Sequence, residues 1–365
     1  MQPRSAGLVV TLRQTQPFAL DVSFAAPSGR ITALFGHSGS GKTTVLRAIA
    51  GLQRTAEARI LCGDDVWCET ARRAWRPPHL RPVGFVFQDY GLFPHLTVRE
   101  QLDLALGHRP AAERPPRIEA LLELTRLQEL GHRRPAALSG GQQQRAAIAR
   151  ALARDPQVLL LDEPFAAVDW ALRESLRREL VTLQRSLALT VLLVTHDFED
   201  VAKLASHLVV LERGRVAASG TVEDLTARNA VPGIDGWREP AVALDAHIEG
   251  HDPHRQLTHI AAGALRLEVP LVDAPPGATV RVQLAAREVI LASQRPEGLS
   301  LRNTLEARVI TVESAAHPAL RLVHLAVGET RLLSLVTADA ARDLALEPGK
   351  PILALIKAVA IGAFA

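Results

Sequence analysis

Five short apolar runs set the terms for the first 230 residues: ITALF (31–35), VGFVF (83–87), VLLLD (158–162), TVLLVT (190–195) and HLVVLE (207–212). Each is almost continuously apolar and bounded by glycine, proline or polar residues, so each reads as a strand buried on both faces. Helical patterns lie between them at Lys42–Leu52, Arg117–Leu130, Gly141–Ala153 and Leu172–Leu187. This alternation predicts an α/β domain built on a largely parallel sheet. At 365 residues, 47% apolar and 22% charged, the chain has room for that domain and a second one. The same composition excludes collagen, low-complexity disorder and small disulfide scaffolds.

The segment 228–241 carries Pro232, Gly233, Gly236 and Pro240, which sets a linker at 231–241. Beyond it the pattern changes to short alternating strands: ALRLEVPL, TVRVQL, EARVITV, ALRLVHLAV and ILALIKAVAI. A weak repeat runs through this all-β region. LDAHIEG (244–250) is similar to LEARVIT (305–311), and LTHIAAG (257–263) to LVHLAVG (322–328). PPGATVRVQLAAREVIL (275–291) is similar to EPGKPILALIKAVAI (347–361), which sets Arg287 against Lys357. The second copy adds TADAARDLAL, which reads as helical. The expected division is therefore 1–230, linker 231–241, a first barrel repeat at 242–297 and a second at 298–365.

A net charge of +3 is too mild for a dedicated nucleic-acid binder. The basic residues are nearly all arginine, and only Lys42, Lys203, Lys350 and Lys357 are lysine. Against that background each lysine is informative. Cys62 and Cys68 fit no metal or redox spacing and read as inert reduced thiols. The opening residues contain no signal-peptide core, and no apolar run approaches the roughly 18 residues of a membrane span. A membrane role would have to come through a partner.

GHSGSGKT (36–43) follows the strand ITALF and opens a helix, the context the P-loop pattern requires. Its glycines let backbone N–H groups close around phosphate oxygens, and the helix start adds a positive dipole end. Lys42 supplies a charge for the β- and γ-phosphates, and the Thr43 hydroxyl is a Mg²⁺ ligand. Asp162 and Glu163 end the strand VLLLDE, at the sheet edge where α/β domains bind ligands. Asp162 is placed to hold Mg²⁺, and Glu163 to activate a water. Ser139, Gly140 and Gly141 of LSGGQQQR (138–145) form a second anion-binding helix start.

GHSGSGKT, LSGGQQQR and VLLLDEP, in that order, resemble the nucleotide-binding subunit of an ABC transporter over about residues 7–220. The resemblance implies an ATPase whose P-loop (Gly36, His37, Ser38, Gly39, Ser40, Gly41, Lys42, Thr43, Thr44) binds ATP. Two copies would pair head to tail, so that Ser139, Gly140, Gly141 and Gln142 of one close the ATP site of the other. It implies that Gln88 contacts Mg²⁺ and the nucleophilic water. His196 would contact the γ-phosphate, and Asp169 would belong to the D-loop, which reads AAVD here. Phe18 lies near the position of an adenine-stacking aromatic. A chain with no membrane segment resembles importer subunits, which dock on separate transmembrane permeases at the cytoplasmic face of the cell membrane and work with an external solute-binding protein.

LSLRNTLEARV (299–309) and ALIKA (354–358) resemble the molybdate-binding barrel of the Mop or TOBE type. A tetrahedral dianion needs converging donors. Ser300, Arg302, Asn303 and Lys357 are the candidates, with Ala358 where such barrels often have serine or threonine. The implied fold is a P-loop α/β ATPase followed by an all-β, OB-like barrel region. The implied cargo is molybdate or tungstate, with molybdate also a regulatory ligand. Sulfate, ferric iron and polyamine remain open as cargo, as does a purely structural barrel. A non-transport ABC ATPase would carry two cassettes or a coiled coil, and neither pattern occurs.

Overall fold

The computed structural model describes residues 7–166, 168, 170–227, 241–315 and 317–364. Asp169 and positions 231–240 of the expected linker lie outside the described residues. The chain forms two compact units that divide at Ser219/Gly220.

The first unit contains β1 (Leu8–Gln14), β2 (Leu20–Ala26), β3 (Ile31–Phe35), α1 (Lys42–Ala50), β4 (Glu57–Cys62), β5 (Asp65–Glu69), β6 (Ala74–Trp75) and β7 (Val83–Val86). It continues through α2 (Val98–Ala105), α3 (Arg114–Leu124), α4 (Gly140–Leu152), β8 (Val158–Asp162), α5 (Trp170–Leu187), β9 (Thr190–Thr195), α6 (Phe198–Leu204), β10 (His207–Glu212) and β11 (Arg215–Thr221). The strands join in one sheet of order β6-β5-β4-β1-β2-β11-β10-β3-β9-β8-β7. The run β10-β3-β9-β8-β7 is parallel. β3, β8 and β9 are buried at every residue, as their unbroken apolar runs require. β1 and β2 pair antiparallel and alternate buried with exposed residues.

The helix ends differ from the periodic pattern where local chemistry intervenes. α1 stops at Ala50, and Gly51 follows in the left-handed region. The buried Arg81 completes that end by donating to Ala48 O (2.9 Å) and Ile49 O (2.6 Å), carbonyls of the last helical turn. Burial draws its guanidinium down to about 10, still charged at neutral pH. α3 starts earlier than expected because Pro115 and Pro116 suit a first turn. It ends at Leu124, where the Thr125 hydroxyl takes Leu121 O at 2.8 Å. α2 has a capping box between Thr97 and Glu100. Cys62 and Cys68 are buried and free. Burial, with Asp65 nearby, pushes the Cys62 thiol up to about 12, so it stays protonated and inert.

The second unit opens with α7 (Val222–Ala227) and continues with β12 (Ala241–Asp252), β13 (Leu257–Ala262), β14 (Leu265–Pro270), β15 (Thr279–Ala285) and β16 (Val289–Ala292). Then follow β17 (Asn303–Ser314), β18 (Leu320–Val327), β19 (Thr330–Thr337), α8 (Ala338–Asp343), β20 (Pro351–Ile356) and β21 (Gly362–Phe364). The repeat is visible in detail. β12 and β17 are both 12 residues long, and each shifts register at the equivalent place, Ile248/Gly250 and Val309/Thr311. In each copy a strand, a 3₁₀ turn and a short strand then follow, with turns at Ala286–Glu288 and Ala358–Ala360.

The copies exchange their final strands. β16 of the first pairs with β20 of the second, and β21 of the second pairs with β15 of the first. The sheets are thus β14-β13-β12-β15-β21 and β16-β20-β17-β18-β19, and one apolar core runs through both. Two sequence expectations change here. Lys357 is not within the last strand, because β20 ends at Ile356 and Lys357 leads into the 3₁₀ turn. Its counterpart in the first copy is Ala285, not Arg287. No described helix is long and apolar enough to cross a membrane.

Asn303 staples this unit. Only 4% exposed, it accepts from Glu268 N (2.6 Å) and donates to Glu268 O (3.0 Å) and Ile356 O (3.4 Å). Asn303→Ala leaves these buried groups unpaired, at about 1–3 kcal/mol for each. Hydrogen exchange of β14 and β20 in the full chain is expected to speed up by about tenfold or more, and unchanged protection would refute the staple.

Candidate functional site

Because β7, β8, β9 and β3 are adjacent and parallel, their carboxyl ends emerge at one edge of the sheet. That edge receives the P-loop after β3, Gln88 after β7, Asp162 and Glu163 at β8, and His196 after β9. Four segments far apart in sequence are thereby brought together by strand order alone.

The P-loop is shaped for a phosphate group. A Cβ on Gly36 would lie 2.3 Å from Leu211 O, so only glycine fits. Gly41, at φ +102°, begins α1 with no side chain capping it and no acidic residue in the first turn. The helix start therefore presents its free N–H groups to an anion. Ser40 Oγ is buried with no partner, a polar atom the fold itself does not satisfy. Lys42 is 5% exposed, and its ammonium donates to Gly36 O (2.6 Å) and His37 O (2.9 Å). Burial lowers its pKa, opposed by Glu163 and Asp162. The Phe18 ring lies against the end of this loop, 3.0 Å from where a Gly41 Cβ would stand. His37, Ser38 and Gly39 are exposed, and Thr44 is half-buried.

The donor set for a hard cation is also present. Thr43 Oγ1 donates to Asp162 Oδ1 at 3.3 Å, which puts a hydroxyl and a carboxylate side by side. Burial raises the Asp162 pKa, while Thr43, Arg47 and Lys42 pull it down and Glu163 pushes it up. Hydroxyl and carboxylate oxygens suit Mg²⁺, which takes only one or two protein ligands at phosphate sites. Glu163 sits at φ +46°, a conformation uncommon for a side-chain-bearing residue, with its N–H bonded to Val194 O at 3.0 Å. Its Oε2 lies 3.1 Å from His196 Nδ1. The carboxylate after β8 and the imidazole after β9 thus form a contacting pair.

At the start of α4, expected to bind a second anion, Ser139 caps the helix and shares a capping box with Gln142. Gly140 is open, and Gly141 lies so close to Leu172 that a Cβ would meet its side chain at 2.9 Å. Gln88 is exposed. The loop that follows it is held by a residue the sequence reading passed over, Arg150 of α4. It donates to Gly91 O (2.6 Å) and Tyr90 O (3.2 Å) and lies over the Phe93 ring at 5.5 Å. Only its place inside the apolar stretch AAIARALA could have marked it.

In the second unit the register pair Asn303↔Ile356 sets Arg302 beside Lys357 at neighbouring strand ends. Arg302, Lys357 and Ser300 are exposed, whereas the Asn303 amide is turned inward onto backbone.

Residues 19–166 match the ABC transporter family, and residues 299–362 match the TOBE domain. Molybdenum import ATP-binding protein ModC 1 of Azotobacter vinelandii is 41% identical over 345 residues, 94% of this chain and 95% of that protein. Molybdenum import ATP-binding protein ModC of Thiobacillus denitrificans is 43% identical over 344 residues, 94% of each. The protein of that name from Pseudomonas aeruginosa is 39% identical and covers 97% of this chain and 99% of its own length. Among solved structures, the dimeric post-hydrolysis state of the ATP-binding cassette MJ0796 bound to ADP and Pi aligns with a TM-score of 0.50 at 29% identity. It covers 59% of this chain and 98% of that one.

Arg150→Met removes the donors from Tyr90 and Gly91 while keeping the apolar stem. Amide exchange across Gln88–Phe93 is expected to accelerate with β8 unchanged, and equal protection in both variants would show that Arg150 does not hold this loop.

Proposed function

The chain belongs to the ABC transporter ATPases, among the molybdenum import ATP-binding proteins, and from that membership we propose how its residues do the work of the ATP-hydrolysing subunit of a molybdate importer. The observation that carries the reading is the edge of four parallel strands on which Lys42, Thr43, Asp162, Glu163 and His196 converge. Lys42 and the N–H groups at the start of α1 hold the ATP phosphates. Thr43 and Asp162 hold Mg²⁺, with Gln88 from the loop that Arg150 anchors. The metal supplies charge neutralisation on the phosphates when bound. Glu163 accepts the proton of the attacking water, and His196 steadies that carboxylate and contacts the γ-phosphate. Phe18 stacks on the adenine.

Two copies pair head to tail, and Ser139, Gly140, Gly141 and Gln142 of one complete the site of the other, with Asp169 assigned to the D-loop. ATP stabilises the closed pair and hydrolysis releases it, a population shift driven by a ligand that bridges both chains. The permease is a separate set of membrane subunits, so this chain works peripherally at the cytoplasmic face, and an external solute-binding protein delivers the oxyanion.

The tail binds molybdate at the strand ends that carry Ser300, Arg302 and Lys357, with Asn303 holding those ends in place. The inward bonds of Asn303 and the presence of Ala358 favour a second reading, in which the barrel is structural only.

Glu163→Gln is expected to bind ATP, to lose about 10²–10⁴-fold in turnover, and to accumulate as a dimer by light scattering. Near-normal hydrolysis would overturn the assignment. Calorimetric titration of molybdate, tungstate and sulfate into the full chain tests the tail. Saturable molybdate binding that Lys357→Ala abolishes supports the oxyanion site, and no heat with any of the three supports the structural barrel.

A further inference from the structure

Glu163 and His196 reach each other from the ends of two different strands, and one backbone bond, Glu163 N–H to Val194 O, ties Glu163 to β9. The Glu163 backbone is in a disfavoured conformation, and the His196 side chain is 53% exposed. Past that bond, the segments that follow β8 and β9 gain a further tie from outside the two strands. α5 supplies it.

Arg173 of α5 donates to Phe165 O from Nε (3.2 Å) and Nη2 (2.9 Å), two residues past Glu163. Its Nη1 donates to Asp197 Oδ2 at 2.6 Å, one residue past His196. Asp197 is itself fixed, because its other oxygen accepts the Glu199 N–H and caps α6, and its own N–H donates to Thr195 Oγ1 at 3.0 Å. One turn along α5, Arg177 reaches the same loop from beneath. It is buried against Asp200, whose other oxygen accepts the Thr195 hydroxyl at 2.8 Å. Arg177 thus fixes the base of the loop, and Arg173 spans from it to the segment that follows Glu163.

We propose that Arg173 is a positioning residue for hydrolysis, which sets the Glu163–His196 pair by joining the backbone beyond one to the carboxylate beyond the other. The inference rests on the roles given above to Glu163 and His196. A planar fork with donors on two sides makes the join, and lysine, a point charge on a flexible stem, cannot reproduce it. Misplacement by about 1 Å at a reacting group can cost about 10²-fold in rate, so the tie acts on turnover. It touches no residue of the P-loop, so ATP binding is untouched.

The test measures ATPase kinetics of the full chain per nucleotide-binding site, titrated with a fluorescent ATP analogue. Arg173→Ala is expected to lower kcat about 10- to 100-fold with KM for ATP unchanged. Arg173→Lys should recover only part of the loss. In a His196→Ala background, single-turnover hydrolysis should fall less than about threefold on adding Arg173→Ala, because the pair to be positioned is already gone. Wild-type kcat in Arg173→Ala, or the same loss with and without His196, overturns the proposal. A purely structural role would lower the number of binding sites, not kcat per site. If Arg173→Ala does not fold, Asp197→Asn, which keeps the α6 cap and weakens the other end of the tie, is read by the same criteria. If Glu163→Gln turns over normally, the catalytic reading fails instead; if it is inactive while Arg173→Ala matches wild type, only this inference fails.

Discussion

Burial of β3, β8 and β9 on both faces is the constraint from which the rest of the ATPase unit follows. Strands that are apolar throughout must be covered on both sides, and parallel neighbours require long crossovers that supply the covering helices. Parallel order also brings every strand out at the same edge. The reactive residues therefore need no shared stretch of sequence. They need only sit at the end of a parallel strand or one to two residues past it, which is where Asp162, Glu163, His196 and Gln88 are found.

A second theme is the use of buried or half-buried guanidinium groups to satisfy backbone carbonyls where regular structure ends. Arg81 does this at the end of α1, Arg150 at the loop after β7, and Arg173 at the turn after β8. Each joins segments that sheet hydrogen bonds do not reach. A guanidinium has five donors and stays charged, so one side chain can tie two or three carbonyls at once. The cost of burying it is offset because its donors are bonded to carbonyl oxygens and not left unpaired.

What could be read in advance divides along physical lines. The parallel strands were legible because burial on both faces writes an unbroken apolar run, and β8, β9 and β10 match their runs residue for residue. β1 and β2 expose every second side chain and were not read as strands. The glycines and Lys42 of the P-loop were legible because a phosphate cradle tolerates few substitutes. Arg81, Arg150 and Arg173 were not, since arginine serves nearly every basic position and partnership leaves no trace in composition. The repeat in the tail was visible, but which strands pair across it was not, because a short strand carries no label for its neighbour.

That exchange of strands bears on how the tail is made and how it can be cut. A chain stopped before Asn303 would carry β16 with nothing to pair it and β15 with one edge open, although every residue of the first copy would be present. During synthesis the sheet begun at Ala241 stays one strand short until Phe364 has left the ribosome. The two copies are therefore a duplication in sequence, but in the folded tail each sheet is completed by a strand from the other copy.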